Sequence, residues 1–154
     1  MDYLIAKWLH ILSSTLLFGT GIGSAYYMLM TSLKRDPVAV ASVVRFVVIA
    51  DWLFTTTTIV FQPLSGLYMM HLARIPLSTP WIVWTFVLYL VAGACWLPVV
   101  WIQIRMRRMA DQAVARGEPL PPKYFVCLKV WIALGIPAFL ALVVVFWLMV
   151  AKPS

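Results

Sequence analysis

Two histidines are the residues of this sequence best suited to metal chemistry. His10 comes early in the first long apolar stretch, and His71 comes at the end of the second. If these stretches form antiparallel helices, the two imidazoles lie at about the same depth. Neutral imidazole is the commonest metal ligand and an established axial ligand of haem iron. The pair therefore predicts a haem b site with His10 as an axial ligand.

The second ligand of such a haem stays open between two residues. At 100° per residue, His71 points away from the polar face of its helix, whereas Met69 lies on that face. Histidine with methionine is an established ligation of haem, so both Met69 and His71 are candidates. The alternatives are a hydrogen-bonded His10 near the membrane interface and a Met69 that fills the core.

A stripe of polar residues runs along the second apolar stretch. Its members recur at steps of four and three residues: Asp51, Thr55, Thr58, Gln62 and Ser65. This spacing places them on one helix face, and polar residues in a membrane face the protein interior. We interpret Asp51 as a proton carrier, with Thr55, Thr58 and Gln62 forming a polar track from the haem towards the cytoplasm. Alternatively, Asp51 is structural and bonds to Thr55 or is reached by Arg45.

The composition predicts helices that hold these residues inside a membrane. The chain has 154 residues, of which 64% are hydrophobic and 11% charged, whereas soluble domains carry about 25% charged residues. Four stretches supply the ~20 apolar residues that a spanning helix needs: 3–32, 43–70, 81–103 and 130–151. The predicted fold is an all-α, antiparallel four-helix membrane bundle. The third helix carries a second polar stripe (Thr85, Tyr89, Ala92, Trp96 and Gln103), and the fourth looks like a packing helix.

The charge distribution predicts the orientation in the membrane. The net charge is +7, but the basic residues gather in the predicted loops 33–42 and 105–129. Basic loops face the cytoplasm, so both termini are expected outside, and a lipid surface is a better partner than nucleic acid. Anionic headgroups could meet loop 105–129. Cys95 and Cys127 are expected at depths too different for a disulfide.

Several strings resemble a bacterial family of uncharacterised, predicted four-helix integral membrane proteins. They cover nearly the whole chain, and the most specific are ADWLFTT and GACWLPVV. This resemblance implies the bacterial inner membrane. A more distant likeness, through KWLHI, QPLSGLYM and IPAFLALVVVFWLMVAKP, is to the HemJ-type protoporphyrinogen IX oxidases and implies haem binding at His10. That family has a lysine where this chain has Thr85.

These observations favour a haem-binding redox membrane protein that oxidises a quinol or a tetrapyrrole-type substrate. Electrons would pass to or from a quinone or tetrapyrrole, and Asp51 would carry the proton. The alternative is a non-enzymatic subunit or assembly factor, acting through a membrane protein partner or a homo-oligomer.

Overall fold

The chain is all-helical in the computed structural model, which describes residues 1–153. The helices are α1 (Asp2–Lys34), α2 (Pro37–Ala50), α3 (Thr56–Ala73), α4 (Pro80–Arg116) and α5 (Pro122–Ala151). A π-helical turn, Asp51–Thr55, joins α2 directly to α3, so that these elements form one continuous rod. Within the described residues there is no strand, which confirms the all-α part of the predicted fold.

The helices are longer than expected, and the predicted loops 33–42 and 105–129 are wrong over much of their length. Asp36 caps α2 by accepting a hydrogen bond from the Val38 N–H at 3.0 Å, and Pro37 occupies the first turn. α4 continues to Arg116 because the run after Gln103 contains good helix formers. It ends where Gly117 adopts a left-handed conformation, with φ of 64°, that glycine adopts without strain.

Within residues 1–153, three helical rods are long and apolar enough to cross a membrane: Pro37–Ala73, Pro80–Arg116 and Pro122–Ala151. They correspond to the second, third and fourth predicted spans. α1, with 33 residues, is not among them. Its length is sufficient, but its glycines, serines, threonines and tyrosines make it less apolar than the three rods.

The packed core lies at one end of the molecule, which we call the basic end because Lys34, Arg35, Arg116 and Lys123 lie there. α1 contacts α2 and α3, α2 also contacts α4, and α4 contacts α5. The core residues are Met28, Val40, Ala41, Val44, Val47, Val99, Ile102, Met106, Ala110, Ala113, Leu120, Tyr124, Leu128 and Trp131. A buried 2.7 Å hydrogen bond between Ser32 and Tyr124 ties the end of α1 to the start of α5. The helices are therefore held most tightly at the basic end.

Candidate functional site

His10 is buried between α1 and α3, with 7% of its surface exposed. Its Nδ1 lies 2.7 Å from the Ser65 hydroxyl, and its backbone carbonyl accepts a hydrogen bond from Gln62 Nε2 at 3.0 Å. The imidazole also packs beside Gly66, where an added Cβ would lie 3.7 Å from His10 Cε1, an ordinary van der Waals distance. Two polar residues of the predicted stripe thus fix the position of His10.

The surroundings of Ser65 select one tautomer of His10. The Ser65 hydroxyl lies 2.7 Å from the Phe61 carbonyl oxygen, its donor bond within α3. A serine has one hydroxyl hydrogen, so with that hydrogen engaged Ser65 accepts from His10 Nδ1–H. The His10 Nε2 then carries a free lone pair. This is the arrangement in which a second partner orients an imidazole for metal binding.

In the described part of the chain, neither of the other two candidate haem ligands shares a hydrogen bond with His10. Met69 is half-buried on α3, and His71 is exposed near the end of α3. This exposure agrees with the prediction that His71 points away from the polar face of its helix. Among residues 1–153 no group of three or more histidine, cysteine or acidic side chains could hold a metal ion. Cys95 and Cys127 are both free thiols, as predicted.

Asp51 is buried at the start of the π-helical turn, with 6% of its surface exposed. Its carboxylate accepts a hydrogen bond from the Thr55 hydroxyl at 2.9 Å, and Gln103 lies beside it. The predicted bond to Thr55 is therefore confirmed. The alternative pairing with Arg45 is wrong, because the Arg45 guanidinium lies 3.4 Å from the Asp111 carboxylate. π-helical turns are rare and frequently occur at functional sites.

A cavity of about 500 Å³ lies between α1, α4 and α5, and Asp51 and Thr55 are part of its wall. From α4 it is lined by Tyr89, Ala92, Gly93, Trp96, Val99 and Gln103. Four residues of the predicted α4 stripe thus face one space. Val99 and Trp131 belong to both the cavity wall and the core, so the core closes the cavity towards the basic end. We call this space the central cavity.

Three residues of the central cavity carry a buried polar atom without a hydrogen-bond partner in the described part of the chain. These atoms are Gln103 Oε1, Trp96 Nε1 and Trp131 Nε1. A buried polar atom without a partner costs about 1–3 kcal/mol. These three atoms are themselves buried beneath the cavity surface, so they do not present hydrogen-bonding groups to the cavity. The polar stripe of the third predicted helix included Gln103 and Trp96. Trp131 was not predicted, because it lies on the helix that the sequence indicated to be a packing helix.

The central cavity does not include the candidate haem ligands in its wall. Neither His10, Met69 nor His71 lines it. The free Nε2 of His10 suits haem iron, yet the ring is enclosed between α1 and Gly66 of α3. The donor atom suits haem iron, but the enclosed surroundings of the ring do not suit a haem. Haem ligation by His10 stays a prediction.

The predicted polar stripe is divided between two places. Asp51 and Thr55 line the central cavity, whereas Gln62 and Ser65 contact His10. Between them, the Thr58 hydroxyl bonds to backbone carbonyls of its own helix, at 2.6 Å from Phe54 and 3.0 Å from Thr55. All five residues are buried, as the spacing predicted. Their use as a continuous proton track stays a prediction.

Comparison with known proteins gives a family and no activity. No curated protein matches the chain, and no solved structure matches it. The likeness to HemJ-type oxidases is therefore a prediction without support from these comparisons. A family model described as "predicted integral membrane protein" matches residues 4–153. Its match covers almost the entire chain, and the protein belongs to this family, DUF2269.

Proposed function

We propose that the protein binds a flat, lipid-soluble ring compound of the quinone or tetrapyrrole type in the central cavity, where Asp51 exchanges a proton with it. The observation that carries this proposal is a cavity of about 500 Å³ with a buried carboxylate in an otherwise mainly apolar wall. Small-molecule sites are typically apolar cavities of about 300–1,000 Å³ with a few polar groups.

The chemistry of the proposal follows from the position of Asp51. A carboxylate is an acceptor of hydrogen bonds when ionised and a donor when protonated. The Thr55 hydroxyl occupies one of its oxygens, Oδ1, which leaves acceptor capacity for a hydroxyl group of a ligand. A hydroxyl of a bound ring compound can therefore donate a hydrogen bond to the ionised Asp51 or transfer its proton to that carboxylate, which leaves Asp51 protonated and the ligand oxygen deprotonated.

The proposed setting is the bacterial cytoplasmic membrane, with the protein as an antiparallel four-helix bundle and both termini outside. The basic end carries the positive residues that mark the cytoplasmic side. α1 is proposed as the fourth crossing because it packs along α3 and α2, with His10 beside Ser65 at one end and the connection to Pro37 at the other.

Cavity-filling variants of α4 test this function. A Cβ added to Gly93 meets no atom within 4 Å, so Gly93→Phe can place its ring in the central cavity. Ala94→Phe is the matched control, since Ala94 is the next residue, is exposed and does not line the cavity. The proteins are purified in mild detergent, extracted with organic solvent and analysed by chromatography with ultraviolet detection.

The expected result is a ring compound that co-purifies with the wild type and Ala94→Phe but is depleted in Gly93→Phe. Equal amounts in all three proteins, or none in the wild type, would contradict the proposal. A colourless protein that instead co-purifies with a second membrane protein would favour the alternative of a non-enzymatic subunit.

A further inference from the structure

The central cavity opens sideways towards lipid, between α1 and α5. Side-chain contacts join these helices near two levels: Phe18 stacks on Phe139 with ring centroids 5.1 Å apart, and Ser32 bonds to Tyr124. Between these levels lie residues that line the cavity and are also exposed on the outer surface: Ile22, Tyr26 and Ile136. A residue on both surfaces marks an opening in the wall.

The charges of the cavity wall restrict what can enter through this opening. Asp51 is charged when ionised, and the wall contains no lysine, arginine or histidine. A tetrapyrrole with carboxylate side chains would bring negative groups into a space that offers them an acid and no basic partner. Burying an unpaired charge is costly, so the wall favours an uncharged ring.

Asp51 defines the hydrogen bonding of that ring. Its carboxylate belongs to the cavity wall, whereas the atoms of Trp96, Trp131 and Gln103 that lack a partner among the described residues are buried beneath the wall. A quinone has carbonyl oxygens that accept hydrogen bonds, and the corresponding quinol has hydroxyls that donate them. A quinol hydroxyl can therefore donate to the ionised Asp51, and a quinone carbonyl can accept from Asp51 when it is protonated.

We infer that the occupant of the central cavity is a prenyl-type quinone or quinol, with its ring near Asp51 and its apolar chain leaving between α1 and α5. This inference rests on the proposed function and narrows it to one ligand class. A ring oxygen meets Asp51, and the chain passes Ile22 and Ile136 into the hydrocarbon of the bilayer. No charged group of the ligand needs to be buried.

Two glycines of α1 provide a matched test. Gly21 lines the central cavity, whereas Gly19, two residues away on the same helix, does not. Both are exposed, and a Cβ added at either position meets no atom within 4 Å. Gly21→Leu therefore narrows the opening, and Gly19→Leu adds the same side chain facing lipid. Circular dichroism and gel filtration check that both variants fold as the wild type does.

Binding is measured in detergent micelles by quenching of tryptophan fluorescence, since Trp96 and Trp131 line the cavity. The probes are a ubiquinone analogue with a decyl chain, protoporphyrin IX and tetraphenylphosphonium. We expect the ubiquinone analogue to bind the wild type and Gly19→Leu equally. Its affinity for Gly21→Leu should fall by about tenfold, which corresponds to about 1.4 kcal/mol and lies within the usual 1–3 kcal/mol cost of overpacking.

The outcomes separate this inference from the proposed function. If protoporphyrin IX binds more tightly than the quinone and Gly21→Leu weakens it, the cavity binds ring compounds but the inferred class is wrong. Tighter binding of tetraphenylphosphonium would overturn the class in the same way. If no probe binds, or if Gly19→Leu and Gly21→Leu behave alike, the sideways opening and the proposed site both fail.

Discussion

Replacing Ser65 by alanine should destabilise the contact between α1 and α3 by a measurable amount. The change removes the oxygen 2.7 Å from His10 Nδ1 and leaves a buried imidazole N–H without an acceptor. An unsatisfied buried donor costs about 1–3 kcal/mol, while interhelical hydrogen bonds in a membrane protein average about 0.6 kcal/mol. Because His10 is only 7% exposed, water cannot easily replace the serine, and we expect a loss of about 1–2 kcal/mol, within the range of those two values.

The assay is unfolding in mixed micelles with increasing dodecyl sulfate, followed by circular dichroism. A loss of 1.4 kcal/mol lowers the folding equilibrium constant by about tenfold. Ser14→Ala is the control, because the Ser14 hydroxyl bonds to the Ile11 carbonyl of its own helix at 2.8 Å and should change stability by less than about 0.5 kcal/mol. Nitrogen NMR of the His10 ring should show the proton on Nδ1 in the wild type. Equal stability of Ser65→Ala and Ser14→Ala, or a proton on Nε2, would refute the assigned hydrogen bond.

Three further substitutions test the core and the histidines. Met106→Ala empties a fully buried position of the core and should cost about 2–5 kcal/mol; an unchanged Tm in detergent would contradict the packing at the basic end. His71→Ala should alter stability by less than about 0.5 kcal/mol because His71 is exposed, and a larger loss would indicate a buried partner. If His10 holds haem b, the purified protein has a Soret band that sharpens on dithionite reduction and disappears in His10→Ala. A flat spectrum after expression with ample haem, or full haem content in the variant, would refute haem ligation.

The sequence predicted the helical elements well because lipid imposes a simple rule. Long apolar stretches must form helices to satisfy their backbone, and three of the four predicted spans meet that description in the structure. The residues at which the helices end were less predictable. The stretch after Gln103 was predicted to be a basic loop. Its arginines and alanines are good helix formers, however, and the helix stops only at Gly117.

The candidate site was predictable only where residues recur on one face. The spacing of Asp51, Thr55 and Gln62 predicted their burial correctly, because a helix repeats every 3.6 residues. Trp131 and Gly135 carried no such signal, since α5 is apolar on all sides. Their role in the cavity wall depends on how α5 packs beside α4 and α1, which is a property of the packed molecule and is absent from the local sequence.

The length of the stripe explains why it serves two places in the structure. Asp51 and Gln62 are eleven residues apart, which is about 16 Å along a helix, so the two residues lie at different depths. Asp51 therefore faces the central cavity, while Gln62 and Ser65 face His10. If the two places are independent, their perturbations should add within about 0.3–0.5 kcal/mol. Ser65→Ala should then leave binding of the decyl ubiquinone analogue unchanged, and Gly21→Leu should leave the proton on His10 Nδ1. A change in quinone affinity in Ser65→Ala would instead mean that the stripe acts as one connected track, as its spacing first suggested.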